Sequence, residues 1–281
     1  MAEIGKLNRL KVVKELSFGL YLDGGEHGEI LLPTRYIPND TKVDDEIEVF
    51  IYYDSEDRII ATTETPLAMV GDFSLLKVVS VNAIGAFLDW GLPKDLLVPF
   101  REQKQTMQEG RYYLVKVYFD KNSKRIAASA KLDSFLDNLP PNYKEGQEVD
   151  LIICNETELG YKAIVNKLHW GMLYKNEVFQ PLERGQKIKG FVKKIRDDEK
   201  IDLNLTKSGY AKVDDISEKI LDYLRNNKGF ATLTDKSSPE TIYNLFSVSK
   251  KAFKMAIGGL YKKGYILIEI NGIRLVEDQG D

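Results

Sequence analysis

The stretch DEIEVFIYYD (45–54) alternates Ile47, Val49, Ile51 and Tyr53 with Glu46, Glu48, Phe50 and Tyr52. A period of two predicts a strand with one buried side. RYYLVKVYFD (111–120) repeats the pattern. Each run is followed by a polar turn, SEDR or KNSK, and then by another short apolar run. Each is preceded by a strand that carries a glycine phrase, FGLYLD (18–23) or IGAFLD (84–89). About five strands per unit, with turns every 8–12 residues, predict small barrels.

The two units keep one offset. Gly19 and Gly85 lie 66 positions apart, as do Val12-Val13 and Val78-Val79, Leu32-Pro33 and Val98-Pro99, and Tyr53-Asp54 and Phe119-Asp120. Ile60-Ala61 and Ile126-Ala127 extend the match without a gap. A fainter third copy follows at an offset of 75, through Gly85 and Gly160, Gly110 and Gly185, and Ile126 and Ile201. Units of this length are near the size at which a small domain folds alone. A glycine inside a strand pattern marks a bulge or a sharp bend. A bulge at Gly19 would turn Phe18 and Tyr21 to one side, making a base-stacking platform.

After Leu205 the apolar spacing becomes helical. VDDISEKILDYLRNN (213–227) places Ile216, Ile220, Leu221 and Leu224 on one face. SPETIYNLF (238–246) has Ser before Pro at a helix start, and Ser249 caps a third helix with Phe253, Ala256, Ile257 and Leu260 inward. YILIEINGIRLVE (265–277) reads as a hairpin turning at Asn271-Gly272. Three helices and a hairpin form a winged helix, whose third helix is the recognition element. Lys251, Lys254 and Lys262 lie on that helix as phosphate contacts, or as the solvated side of any amphipathic helix.

The glycine phrases, the ILLP and LLVP segments, and the strands ending in Asp resemble the RNA-binding OB-fold repeat of the large bacterial ribosomal protein S-one. Three repeats followed by a winged helix resemble the conserved virulence factor B family of bacteria. The resemblance implies a stacking pair at Phe18 and Tyr21 in repeat one, with Asp54 and Arg58 as the polar pair on neighbouring strands. In repeat two it implies Phe87, Asp120 and Lys124, with Ile84 in place of the first aromatic. In repeat three Leu159 and Lys162 replace both aromatics. Leu31 and Leu97 stand near the place of the family's histidine. Repeat one is thus the expected best binder. Repeat three carries Tyr161, Trp170, Tyr174 and the basic run KIKGFVKKIR with Lys193, Lys194 and Arg196. These suit single-stranded RNA, or they are core aromatics and a solvated strand face.

Charge changes the picture little. Net charge is −3, from 40 Lys+Arg and 43 Asp+Glu, and residues 208–281 hold 11 basic and 10 acidic residues. Neither part attracts polyanions in general. Cys154 is the only cysteine, which excludes intrachain disulfides and, in practice, Cys-based zinc sites. No run approaches 18 uninterrupted apolar residues and the N-terminus lacks a signal-peptide core, so the expected compartment is the cytoplasm, with no membrane partner.

Enzyme chemistry finds no foothold. His27 and His169 fall in connecting segments of different repeats, where a histidine is usually solvated. GGEHG (24–28) lacks the Lys-Ser/Thr pair and the helix of a phosphate-binding loop. Asp44-Asp45 and Asp197-Asp198 are turn carboxylates. The expectation is a multidomain, mainly β protein: three tandem five-stranded OB-fold barrels over 1–65, 66–138 and 139–207, then an α+β winged helix over 208–281. It is a non-enzymatic single-stranded RNA binder and post-transcriptional regulator, with no cofactor and with duplex nucleic acid as a second partner of the winged helix. A duplex-DNA transcriptional regulator and a protein-interaction scaffold are the alternatives.

Overall fold

The computed structural model describes residues 2–178, 180–206 and 211–276. The chain divides into two compact units, 1–138 and 139–281. The first contains β1 (Leu7–Leu16), β2 (Gly19–Asp23), β3 (Glu29–Pro33), β4 (Glu46–Tyr53) and β5 (Ile59–Thr62). These close into a barrel in the order β1-β2-β3-β5-β4. Next come β6 (Phe73–Val81), β7 (Gly85–Asp89), β8 (Leu96–Pro99), β9 (Tyr112–Asp120) and β10 (Arg125–Ser129). Their order is β10-β9-β6-β7-β8, and no ladder joins β8 to β10. A five-stranded barrel was expected here; β8 and β10 lie side by side at its seam without a ladder, so hydrogen bonding does not close the ring.

The second unit begins with β11 (Glu148–Glu156), β12 (Gly160–Val165), β13 (His169–Tyr174), β14 (Lys187–Ile195) and β15 (Ile201–Asn204). They close in the order β11-β12-β13-β15-β14, the order of barrel one. Closure is graded. The parallel contact has one pair in barrel one, Leu31↔Ile60, and three in barrel three, from Gly171↔Ile201 to Leu173↔Leu203.

The glycines have a different reason from the one expected. Gly19, Gly85 and Gly160 open β2, β7 and β12 with φ of 157°, 159° and 147°. A Cβ there would lie 2.3, 2.3 and 2.0 Å from the carbonyl oxygens of Leu32, Val98 and Leu173 on the next strand. Only glycine fits so close an approach. The bulge sits on the strand before: the register shifts between Val12 and Lys14, Val78 and Ser80, and Ile153 and Asn155.

The single offset of 66 also fails in one place. Ile51 pairs with Ala61, whereas Val117 pairs with Ala128, so the β9–β10 turn has one residue more than the β4–β5 turn. Thr62 and Ser129, both fully buried, then correspond, and so do Arg58 and Arg125. The turns share a left-handed residue: Asp57 at φ 61°, Lys124 at 54° and Glu199 at 61°.

Barrels one and two share a core. The rings of Phe50 and Tyr52 meet Trp90 edge-on at 5.7 and 6.4 Å. The Lys94 ammonium donates to the Asp54 carbonyl at 2.5 Å and pairs with Asp57 at 3.1 Å, and Arg125 also pairs with Asp57.

The rest of the second unit is α1 (Ala211–Asn226), β16 (Phe230–Ala231), α2 (Pro239–Phe246), α3 (Lys250–Lys262), β17 (Ile266–Glu269) and β18 (Gly272–Leu275). Ser238 and Ser249 cap α2 and α3 by accepting from the N–H groups of Thr241 and Ala252. Phe246 and Phe253 stack at 5.6 Å in the core, beside Ile220 and Leu224. The two-residue β16 pairs with β18 and was not expected; it is too short to show a period. No described helix is long and apolar enough to cross a membrane.

Candidate nucleic-acid interface

Barrel one brings its two predicted aromatics together. Phe18, just before β2, is 52% exposed, and its ring meets the half-buried Tyr21 edge-on at 6.2 Å. The bulge in β1 sets Lys14 opposite Tyr21, with the ammonium 5.6 Å from the ring centre. Two ring faces and a cation form a surface on which bases can stack. Asp54 and Arg58 are also together, but as a turn clamp. The guanidinium Nε of Arg58 donates to Asp54 at 2.8 Å, and the backbone N–H groups of Glu56 and Arg58 donate at 2.8 and 2.9 Å. Partial burial alone would raise the Asp54 carboxyl, yet these donors outweigh it and hold the group below the usual carboxylate range.

Barrel two has an exposed Ile84 and a half-buried Phe87 at the matching places. Asp120 accepts from the Ser123 hydroxyl at 2.8 Å and the Asn122 N–H at 3.1 Å, which lower its carboxyl. The cation that reaches Asp120 is Arg101, at 3.5 Å, rather than Lys124. Lys124 is exposed at the left-handed turn position, and Arg125 takes the structural place of Arg58. Lys14, Arg101 and Arg125 were not anticipated. A signal existed for one: Arg35 and Arg101 stand 66 apart, each two residues after the shared proline. The Arg35 guanidinium lies over the Tyr36 ring at 4.5 Å.

Barrel three presents other chemistry. Leu159 is exposed where Phe18 stands in barrel one. Lys162 lies 3.6 Å from the centre of the half-buried Trp170 ring. Tyr174 is held by Arg196, which itself pairs with Asp202 at 3.0 Å. Burial, with the Asp202 charge, raises the Tyr174 hydroxyl's pKa despite Arg196. Tyr161 packs partly against the barrel core. Lys193 pairs with Glu177 at 2.5 Å, and Lys194 is exposed. One expectation is overturned. His169 is no solvated loop residue: it opens β13 and is 4% exposed. Its Nδ1 lies 2.7 Å from the Tyr143 hydroxyl and its Nε2 2.8 Å from the Leu139 carbonyl, so Nε2 donates and Nδ1 accepts.

On α3, Lys251, Lys254 and Lys262 are exposed, and Lys254 pairs with Asp235 at 3.3 Å. In the wing, Arg274 is paired with Glu269 at 2.6 Å and covers the Phe230 ring. The stripe thus retains two exposed lysines beside a paired one, and the wing's cation is neutralised.

Comparison with known proteins agrees with this architecture. The S1 domain model matches residues 4–64 and 70–130, and the CvfB-like winged helix domain matches residues 218–275. The chain is 29% identical over 297 residues to Conserved virulence factor B of Staphylococcus aureus (strain USA300), covering 98% of this chain and 94% of that protein. It is 28% identical over 275 residues to the protein YitL of Bacillus subtilis (strain 168), covering 94% and 91%. A crystal structure of a multidomain protein with nucleic acid binding domains from Streptococcus pneumoniae is 24% identical and covers 97% of this chain and 98% of that one, with a TM-score of 0.41. S1 and winged-helix domains are nucleic-acid-binding rather than enzyme families, and they make this a nucleic-acid-binding chain.

Proposed function

We propose that this chain, which belongs to the conserved virulence factor B family, is a non-enzymatic single-stranded RNA-binding protein that regulates gene expression after transcription. The observation that carries the reading is the exposed Phe18 ring against the half-buried Tyr21, with Lys14 beside them. Duplex bases are stacked on one another and offer no free face to such a platform; unpaired bases do. The four functional parts are 1–65, 66–138, 139–207 and 208–281, with the third a divergent copy of the first two. The recurrence of the glycine approach and the β-bulge supports that kinship. Barrel one supplies the stacking rings, barrel two adds Phe87, and barrel three contributes Lys162–Trp170 and Tyr174–Arg196. Several weak contacts on one chain gain by effective concentration.

Fluorescence anisotropy with labelled single-stranded RNA and a matched duplex DNA, at two salt concentrations, tests this. RNA binding with a shallow salt slope is expected, since stacking releases no counterions. Preference for duplex with a steep slope would move the site to α3. That second reading draws on the exposed Lys251 and Lys262.

A further inference from the structure

The β4–β5 turn of barrel one reaches across to barrel two. Asp57 of that turn pairs with Arg125 at the start of β10 and, at 3.1 Å, with the Lys94 ammonium. Lys94 is also tied to the Asp54 carbonyl at 2.5 Å, and its own carbonyl accepts from the Trp90 indole N–H at 2.6 Å. Lys94 therefore anchors the turn, and Asp57 is left facing Arg125. The structural counterpart of Arg125 behaves differently. Arg58 closes on its own turn, through Asp54 at 2.8 Å and Glu56 at 2.9 Å.

Neither stability nor backbone geometry calls for this carboxylate. The side chains of Arg125 and Asp57 are 57% and 44% exposed, and exposed ion pairs add little stability. The buried rings of Phe50, Tyr52 and Trp90 already join the barrels. Asp57 holds the left-handed place of its turn, but Lys124 fills that place in barrel two. What Asp57 does is cover a cation. Arg125 lines a hollow of about 280 Å³ together with Phe87 and Arg101 of barrel two and Tyr53 of barrel one. Burial, then the Asp57 charge, raises the Tyr53 hydroxyl, so that ring and the carboxylate are neighbours. An aromatic ring beside an anion on a guanidinium has the chemistry of a nucleotide, a stackable base with its phosphate.

We propose that the β4–β5 turn is an internal nucleotide mimic: Asp57 occupies Arg125 as an RNA phosphate would, and so holds down the affinity of barrel two until RNA displaces it. The inference rests on the RNA-binding reading and adds to it an autoinhibitory contact between the first two barrels.

The full chain is compared with Asp57→Asn, Arg125→Gln and the double variant, by anisotropy with a labelled single-stranded RNA over a range of salt. Asparagine tolerates the left-handed conformation, so the turn is kept while the charge is removed. Asp57→Asn is expected to bind RNA about 5-fold more tightly, the upper worth of one exposed ion pair. Its salt slope should steepen by about 0.7, for one added phosphate contact on a single strand. Both gains should vanish when Arg125→Gln is also present. Unchanged affinity, or a gain that persists without Arg125, would overturn the latch while the RNA reading stands. So would weaker binding with lost amide protection across β4 and β5, which would make the pair structural. Binding of RNA by none of the four proteins would overturn both.

Discussion

Barrel one and barrel three have the same strand order, the same bulge on the first strand, the same glycine at the start of the second, and the same left-handed residue in the last turn. Their exposed faces have little in common. Barrel one sets Phe18 and Tyr21 toward solvent, where barrel three has Leu159 and Lys162. A few backbone-specifying positions hold the architecture, and the remaining surface is free to change chemistry. The comparison breaks most directly at the glycine. In Gly160→Ala, the new Cβ would meet the Leu173 carbonyl at 2.0 Å in a conformation L-residues rarely adopt. A loss of roughly 2–4 kcal/mol is expected from strain and overpacking. Faster amide exchange across β12 and β13, measured by mass spectrometry, checks it. Wild-type protection there would mean that the shared glycine does not hold barrel three's geometry.

Function should divide where geometry does not. Phe18→Ala and Tyr21→Ala are each expected to weaken binding of single-stranded RNA by about 1–3 kcal/mol, the cost of losing one stacked base. Leu159→Ala, at the matching place in barrel three, is expected to change affinity by less than about 0.5 kcal/mol, as an ordinary surface substitution does. The checking measurement is titration of one RNA against all three variants. Equal losses at all three positions would erase the functional contrast between the barrels.

A smaller effect sharpens the contrast inside the cores. Barrel one buries the hydroxyl of Thr62, whereas barrel three buries the imidazole of His169 between Tyr143 and the Leu139 carbonyl. His169→Phe removes the Tyr143 and Leu139 hydrogen bonds of the imidazole, at a cost of about 1–2 kcal/mol. A lower urea midpoint for the second unit, with unchanged protection in the first, is the expected result by hydrogen exchange.

Strands 45–54 and 111–120 were legible from their alternation, but the expectation of one buried side fails: Phe50 and Tyr52, on the side taken as exposed, are buried against Trp90, and Tyr113, Leu114 and Val115 are buried in succession. The capped helices were legible as well, since Ser before Pro and Ser249 satisfy backbone donors by local chemistry. The gapless match through Ile60 and Ile126 misplaced the last strand: Ile60-Ala61 meets Ile126-Ala127 at an offset of 66, RIIAT (58–62) meets RIAAS (125–129) at 67, and the ladder, with Ala128 opposite Val117, fixes the second. That one-residue slip made Lys124, instead of Arg125, the partner of Arg58. Lys14 was invisible for a related reason: the bulge that brings it to Tyr21 lies on the other strand. His169 has no local signature, since its partners are 26 and 30 residues away. The Phe18–Tyr21 pair was legible, although through the wrong glycine argument.

The smallest expected effect separates the last turns. In barrel one Asp54 gathers two backbone N–H groups and the Arg58 guanidinium at the β4–β5 turn. In barrel three the residue ending β14 is Ile195, and Arg196 turns to Asp202 and Tyr174 instead. The Asp54 carboxyl is depressed in the folded chain, so its stabilisation is complete above the unfolded value of about 3.9 and is lost as pH falls through the lower folded value. Asp54→Asn should therefore loosen β4 and β5 at pH 7 and make progressively less difference below about pH 4. Barrel three's turn carries its own lowered carboxyl, Asp198 on Lys200, so its protection should be unchanged by Asp54→Asn at either pH. Amide exchange of both barrels at pH 7 and pH 3, corrected for the intrinsic rate, measures it. A difference that persists undiminished at pH 3 would mean that the clamp works through hydrogen bonds alone, independent of the charge on Asp54.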